Sequence, residues 1–178
     1  MIDQHEQVHA AAIGRLQVLI LDMVRKVHGD DAIERRQRYD GDTYPEPVPT
    51  PLAGLQAADW VVQRAGQEIH QHVRRAREAG HSWEQIGQAL DMRPVDGRSV
   101  AESAYERVAG RPASWSFGSP SFTWRCPACG RVISDRGPYE SHPDDNQPGH
   151  AKDCSRLATE LARWRASWDD TPDGRDVA

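Results

Sequence analysis

The sequence predicts a mainly α-helical protein that carries a small cysteine-bearing module towards its C-terminal end. Two observations lead to this prediction. Apolar residues recur at three- and four-residue steps along several segments, which is the period of an amphipathic helix. All three cysteines lie between positions 126 and 154, beyond a segment rich in Gly, Ser and Pro. With 178 residues, of which 38% are hydrophobic, the chain is long enough to bury a core.

The first 51 residues are expected to form a helical segment and a linker. A helix is predicted over residues 7–27, where the apolar stripe consists of Val8, Ala11, Ala12, Ile13, Leu16, Leu19, Ile20, Met23, Val24 and Val27. Asp31 is placed to cap a short polar helix, so that residues 1–38 form one helical segment. The alternating prolines of residues 39–51 predict an extended, polyproline-like linker.

A second long helix is predicted to start at Pro51, with Thr50 as its cap, and to run to about Ala79. Its apolar stripe consists of Leu55, Ala58, Val62, Ala65, Ile69, Val73 and Ala76. This stripe suits packing against the first helix or against a second copy of it. The arginines near its C-terminal end complement the helix dipole, and we expect them to be solvated, with phosphate contact as the alternative. These arginines are Arg74, Arg75 and Arg77.

Two shorter helices complete a helical module over residues 52–110. Ser82 and Gln85 form a capping-box pattern at the start of the first one, which is expected to bury Trp83, Ile86 and Leu90. Ser99 opens the second one, whose apolar face is Val100, Ala101, Ala104, Tyr105 and Val108.

Part of this module resembles a known family. The pattern Gly80-x-Ser82-Trp83-x-x-Ile86-Gly87-x-Ala89-Leu90, followed by a helix containing Ala101–Arg107, resembles the helix-turn-helix proteins of actinobacteria and their sigma-factor-like relatives. The resemblance implies that the second helix enters the major groove of double-stranded DNA. The residues that would then face the base edges are Arg98, Ser99, Glu102 and Ser103.

The chain departs from the family pattern in two ways. Residues 91–97 replace a tight turn, and the outer face of the second helix carries no net charge. Its two glutamates, Glu102 and Glu106, would repel phosphate, although a glutamate can accept a hydrogen bond from cytosine. The alternative interpretation is that the two helices serve packing or dimerisation.

The cysteines have the spacing of metal ligands. In Cys126-Pro-Ala-Cys129-Gly130 two residues separate two thiols, and His150 and Cys154 stand at i and i+4. On the first turn of a helix, the latter spacing places both side chains on one face. The four residues make a Cys₃His set, which is a closed tetrahedral set of the kind that structural zinc prefers.

This pattern resembles treble-clef and zinc-ribbon-like knuckles, which implies a Zn²⁺-binding module over residues 111–168 that ends in a helix over 157–168. His142 is a rival ligand, farther from the helix start. An odd number of cysteines argues against a disulfide framework. The C-terminal half also looks like that of uncharacterised actinobacterial proteins, a similarity that assigns no activity. An acidic tail, residues 169–178, is expected to be frayed.

The distribution of charge bears on the choice of partner. A net charge of -5 argues against a protein that simply coats nucleic acid. The one clearly basic stretch, residues 111–138, surrounds the first two cysteines. Arginine suits bidentate contacts to phosphate, and we expect such contacts from Arg74, Arg75, Arg125 and Arg131.

The sequence therefore predicts a zinc-stabilised DNA-binding protein that acts as a transcriptional regulator. The alternative is a non-enzymatic adaptor that binds protein partners, and a homodimer is compatible with both. We find no phosphate loop, nucleophile motif or paired catalytic carboxylates, so an enzyme is not predicted. The mean hydropathy of -0.76 and the acidic N-terminus predict no membrane span and no signal peptide, and hence a cytoplasmic protein.

Overall fold

The computed structural model describes residues 4–110, 121–139 and 142–169, and over these ranges the protein is mainly helical. This confirms the predicted class. Two small antiparallel sheets of two strands each accompany the helices. The elements, in chain order, are α1 Gln4–His28, a 3-10 turn Asp30–Ala32, β1 Ile33–Arg36, β2 Glu46–Pro49, α2 Pro51–Ala79, α3 Trp83–Ala89, α4 Val100–Ala109, β3 Phe122–Arg125, β4 Val132–Asp135, α5 Pro143–Asn146 and α6 Ser155–Asp169. Most of the predicted acidic tail lies outside the described residues.

The segment between the long helices is a β-hairpin, so the predicted short polar helix and the polyproline linker are both wrong. Strands β1 and β2 pair antiparallel, with Ile33 opposite Pro49 and Arg35 opposite Pro47. Thr50 donates its N–H to the Ala32 carbonyl at 2.8 Å. Because N–H directions alternate along a strand, the nitrogens of Pro47 and Pro49 face away from β1, where proline interrupts no ladder hydrogen bond. The alternating prolines are therefore compatible with an edge strand.

Helix α1 contains the predicted segment 7–27 and extends it to Gln4–His28, but it has little tertiary packing. Val24 is its one fully buried residue among those described, and it packs with Ala53 and Ala57 of α2. Towards the N-terminus the apolar stripe is exposed, with Val8 65% and Leu16 41% accessible. Residues 6–28 are also long and apolar enough, by length and composition alone, to cross a membrane, a test that the core helix of a soluble protein and a signal sequence can also pass.

The described contacts divide the chain into two compact units, Met1–Glu68 and Ile69–Ala178. The boundary between them falls inside α2. The apolar stripe of α2 shows the same division. In the second unit Ile69, Val73 and Ala76 pack into a core, whereas in the first unit Leu55 and Val62 are 67% and 68% exposed.

The second unit has one core, to which the helices and the cysteine-bearing hairpin both contribute. Trp83 of α3 meets Tyr105 of α4 and Phe122 of β3 edge to face, at ring-centroid distances of 5.1 and 5.5 Å. The other buried members are Val73, Ile86, Ala104, Trp124, Cys126, Ile133 and Cys154. A short hairpin has too little apolar surface for a core of its own, so it packs against the helices.

Helices α3 and α4 start and pack as their sequences predict. Ser82 caps α3 in a capping box with Gln85, and Ser99 caps α4 in the same way with Glu102. A Cβ atom placed on Gly87 would lie 2.4 Å from Cγ1 of Val100, so glycine is needed for the close approach of the two helices.

Candidate metal centre

The first two cysteines lie in the turn that joins β3 to β4. Cys126 follows β3 directly, and its N–H donates to the Arg131 carbonyl at 2.9 Å, which closes the turn. Gly130 has φ +68°, a left-handed conformation that favours glycine directly after Cys129. The turn holds Cys126 buried and Cys129 half-buried.

The other two candidate ligands lie in the turn before α6. The predicted placement on the first turn of the last helix is therefore wrong, because α6 begins at Ser155. The Cys154 N–H donates to the Ala151 carbonyl at 3.1 Å, and the Ala158 N–H donates to the Cys154 carbonyl at 3.0 Å. Cys154 thus marks the start of the helix and His150 stands one turn ahead of it.

The ligand atoms of Cys126, Cys129, His150 and Cys154 all lie within 4.8 Å of one another. The sulfurs of Cys126 and Cys154 are 3.8 Å apart, and His150 Nδ1 lies 3.8 Å from the Cys129 sulfur and 3.3 Å from the Cys154 sulfur. A tetrahedral ion with metal–sulfur bonds of about 2.3 Å separates its sulfurs by about 3.8 Å. The predicted four residues therefore form a group with the spacing of a metal-binding site.

The backbone around the site favours the thiolate that a metal requires. N–H groups of Ala151 and Arg131 point at the Cys129 sulfur and lower the pKa of this thiol to about 6. Burial raises the pKa of Cys126, because a thiolate is poorly solvated there. A bound cation would compensate for that burial.

The structure distinguishes the two candidate histidines. His150 turns Nδ1 towards the sulfurs, and its buried Nε2 has no hydrogen-bond partner among the described residues. His142 instead caps the short helix α5, accepting the Asp144 N–H on Nδ1 at 3.3 Å, and its ring packs against Trp164. His150 belongs to the group and His142 does not.

A buried carboxylate, Asp135, joins the hairpin to the helices, and sequence reasoning missed it. Asp135 is 1% exposed and pairs with Arg77, whose Nε lies 2.8 Å from Oδ2. The indole N–H groups of Trp83 and Trp124 also donate to this carboxylate, at 3.1–3.2 Å. The expectation that Arg77 is solvated is therefore wrong. Arg77 lies four positions after the buried Val73 on a helix, and Asp135 lies two positions after the buried Ile133 on a strand. Each therefore shares the buried face of its element, and this periodicity in the sequence could have indicated that both are buried.

Arg156 makes a second link between the candidate metal site and the helices. It lies two residues after Cys154 and donates to the Arg77 and Glu78 carbonyls at 2.6 and 3.1 Å. These carbonyls belong to the C-terminal turn of α2, where a cation is favourable. The guanidinium carbon also lies 4.1 Å from the ring centroid of Trp124, a cation–π contact.

The residues predicted to face DNA bases interact with one another. Arg98 pairs with Glu106 at 2.8 Å and with Asp96 at 3.4 Å. The Glu102 carboxylate accepts from the N–H and the hydroxyl of Ser99 within the capping box. Ser103 is half-buried.

The residues predicted to contact phosphate are exposed arginines that form no ion pair within residues 4–110, 121–139 and 142–169. Arg74 donates to the Thr123 carbonyl at 3.2 Å, Arg125 to the Gly130 carbonyl at 2.6 Å and Arg131 to the His150 carbonyl at 3.3 Å. Arg75 is exposed on α2. A backbone carbonyl holds a guanidinium in place without neutralising its charge.

Comparisons of the chain with family models, with curated proteins and with solved structures found no match.

Proposed function

We propose that the protein is a cytoplasmic, zinc-stabilised DNA-binding protein that acts as a transcriptional regulator. In this proposal α3 and α4 form a helix-turn-helix-like pair, and the hairpin β3–β4 with the start of α6 forms a treble-clef or zinc-ribbon-like module. Cys126, Cys129, His150 and Cys154 hold a structural Zn²⁺ ion.

The donor set supports zinc in a structural role. Three thiols and one imidazole suit a borderline-soft ion, and four protein ligands complete a tetrahedron. A catalytic zinc site keeps one position for water, whereas this group supplies all four ligands itself. The ion would add its binding free energy to the stability of the unit that it joins.

The observation that carries DNA binding is that three arginines, held on backbone carbonyls, form no ion pair with any residue in the described part of the chain. Arg74 is fixed on Thr123, at the start of β3, and Arg125 follows at the end of the same strand. Arg131 follows in the turn of the hairpin. Guanidinium groups held in this way are prepared to contact successive phosphates without first leaving a carboxylate.

Base reading by α4 has weaker support, because Arg98 is already paired with Glu106 and Asp96. To reach a guanine, its guanidinium must leave these carboxylates. We therefore propose that phosphate contacts dominate the affinity, and that Arg98, Ser99, Glu102 and Ser103 contribute specificity only when the Arg98 pairs open.

The test is a selection against random duplex DNA, followed by measurement of affinity as salt rises. Arg125→Ala should weaken all sequences about equally and reduce the salt slope by about one unit. Arg98→Ala should relax the preference at one base position. Arg64→Ala, which removes an exposed arginine paired with Glu68 in the first unit, is the matched control. If the unsubstituted protein retains no duplex at low salt, it does not bind DNA. If it retains duplex and neither Arg125→Ala nor Arg98→Ala changes the affinity, these arginines are not the contacts.

The second candidate function is that of a protein-interaction adaptor. The exposed apolar side chains of the first unit favour it, because a surface of this kind is typical of a contact with another protein. Copurification of a partner by protein that binds no duplex at low salt would favour the adaptor over the regulator.

A further inference from the structure

The first unit exposes many large hydrophobic side chains and buries few. Of the thirteen large hydrophobic residues that are exposed among those described, all but Val95 and Val132 precede residue 69. The buried apolar core of the same unit consists of Val24, Ala53 and Ala57. A core of one valine and two alanines supplies little of the burial that a unit of this size needs. The exposed surface therefore needs a partner.

Helix α1 carries the most regular part of this surface. Ile13, Leu16, Ile20, Met23 and Val27 follow one another at steps of three, four, three and four residues, the spacing of a and d positions in a heptad. Near α2, Ile20 and Met23 pack on the core around Val24. Val27 beyond them is 54% exposed. Ahead of Ile20 the stripe is open, with Ile13 51% and Leu16 41% exposed.

We propose that α1 of a second copy of this chain covers the open stripe. In the open part the β-branched Ile13 occupies an a position and Leu16 a d position, which is the arrangement that favours paired helices. At 100° per residue the charged side chains of Arg15 and Asp22 project well to one side of the stripe. The stripe can therefore pack against the same stripe of a second copy without placing like charges opposite each other, as a two-fold interface requires.

Two observations favour this partner over a lipid bilayer. A bilayer would have to accommodate both Arg15 and Asp22, which are costly at membrane depth. It would also compete for Val24, which already packs against Ala53 and Ala57. A copy of α1 needs neither change. It also supplies the burial that a helical segment as short as residues 4–19 lacks in water.

The proposal does not depend on DNA binding, and sedimentation of the full chain without DNA tests it. The expected mass is twice the 19.9 kDa of the chain, with dissociation on dilution. Leu16→Glu should raise the dimer dissociation constant by about 100-fold or more, because each copy then loses one buried leucine and gains a charge at the seam.

Val18→Glu is the matched control, because Val18 is 59% exposed on the same helix but lies on the side away from the stripe. It should leave the dissociation constant within about twofold and the circular dichroism unchanged, whereas Leu16→Glu should lose helical signal together with the dimer. A monomer at all concentrations, or equal weakening by both substitutions, would overturn the proposal. Flotation of a monomeric protein with vesicles of phosphatidylcholine and phosphatidylglycerol would overturn it as well and assign the stripe to a membrane.

Discussion

Arg77 and Asp135 lie 58 residues apart in the sequence and form a buried ion pair between α2 and β4, with the side chains 4% and 1% exposed. The same carboxylate accepts two indole N–H groups and the Gly137 N–H, and the Tyr105 hydroxyl donates to the Asp135 backbone carbonyl. A buried carboxylate is costly unless its oxygens are satisfied, and here several donors converge on it. The pair therefore fixes the hairpin of the candidate metal site against α2, α3 and α4.

Asp135→Asn tests this connection. The amide keeps the size of the side chain but leaves the Arg77 charge buried and unpaired, so we expect a loss of about 3–5 kcal/mol in the free energy of unfolding. Urea denaturation measures the loss. Asp96→Asn, at a carboxylate that is 79% exposed beside Arg98, should change the same quantity by less than about 0.5 kcal/mol. Equal losses in the free energy of unfolding for the two substitutions would mean that the buried pair contributes no more to stability than an exposed one.

Elemental analysis tests the candidate metal site. We expect one zinc ion per chain, because one group of four suitable ligands lies in the described part of the chain. His150→Ala should lose most of this zinc, and His142→Ala should keep it, because His142 caps α5 and stands outside the group. Zinc loss from the His142 variant alone would show that the wrong histidine has been assigned.

Removal of the metal should affect α3 and α4 as well as the hairpin. Cys126 and Cys154 belong to the same core as Trp83 and Tyr105, and Arg156 ties the start of α6 to the end of α2. A chelator should therefore lower the melting temperature of the whole second unit in one transition. Amide hydrogen exchange followed by mass spectrometry shows which helices and strands lose protection when the metal is removed. If α3 and α4 keep their protection while β3 and β4 lose theirs, the two parts fold separately.

Two glycine substitutions should change stability in opposite directions. Gly87→Ala would place a Cβ 2.8 Å from the Val100 carbonyl oxygen, and the α3–α4 contact would have to open. We expect a loss of about 1–3 kcal/mol in the free energy of unfolding. Gly66→Ala lies in mid-helix with no atom within 4 Å of the new Cβ and should gain about 0.5–1 kcal/mol. A gain at both positions would show that α3 and α4 are not closely packed.

His70 predicts a dependence of stability on pH. Its half-buried ring packs against Phe122 at 4.7 Å, and burial, with Arg74 one turn away, lowers its pKa. The folded protein therefore binds this proton less readily than the unfolded chain, so stability should fall as the pH drops below about 6.5. His70→Gln should lessen that fall, whereas His72→Gln, at an exposed position, should not. Identical melting curves against pH for the two variants would contradict this assignment.

The sequence by itself determined the features that depend on neighbouring residues. Caps at Ser82 and Ser99 and a proline at position 51 bound three helices, because the hydrogen bonds of a helix end involve residues only a few positions away. The Cys₃His set was also readable, because each pair of ligands lies within five residues and a metal requires particular donors.

Tertiary structure decided what covers each apolar face and which charges are buried. The periodicity of α1 and α2 identified their stripes, but only the fold shows that Leu16 and Val62 are exposed while Val73 is buried. The ion pair of Arg77 with Asp135 depends on two elements meeting in space, and arginine at the end of a helix is equally compatible with solvent. A periodic pattern specifies which side of a helix is apolar. Burial depends on the packing partner, and a partner distant in the sequence leaves no local signal.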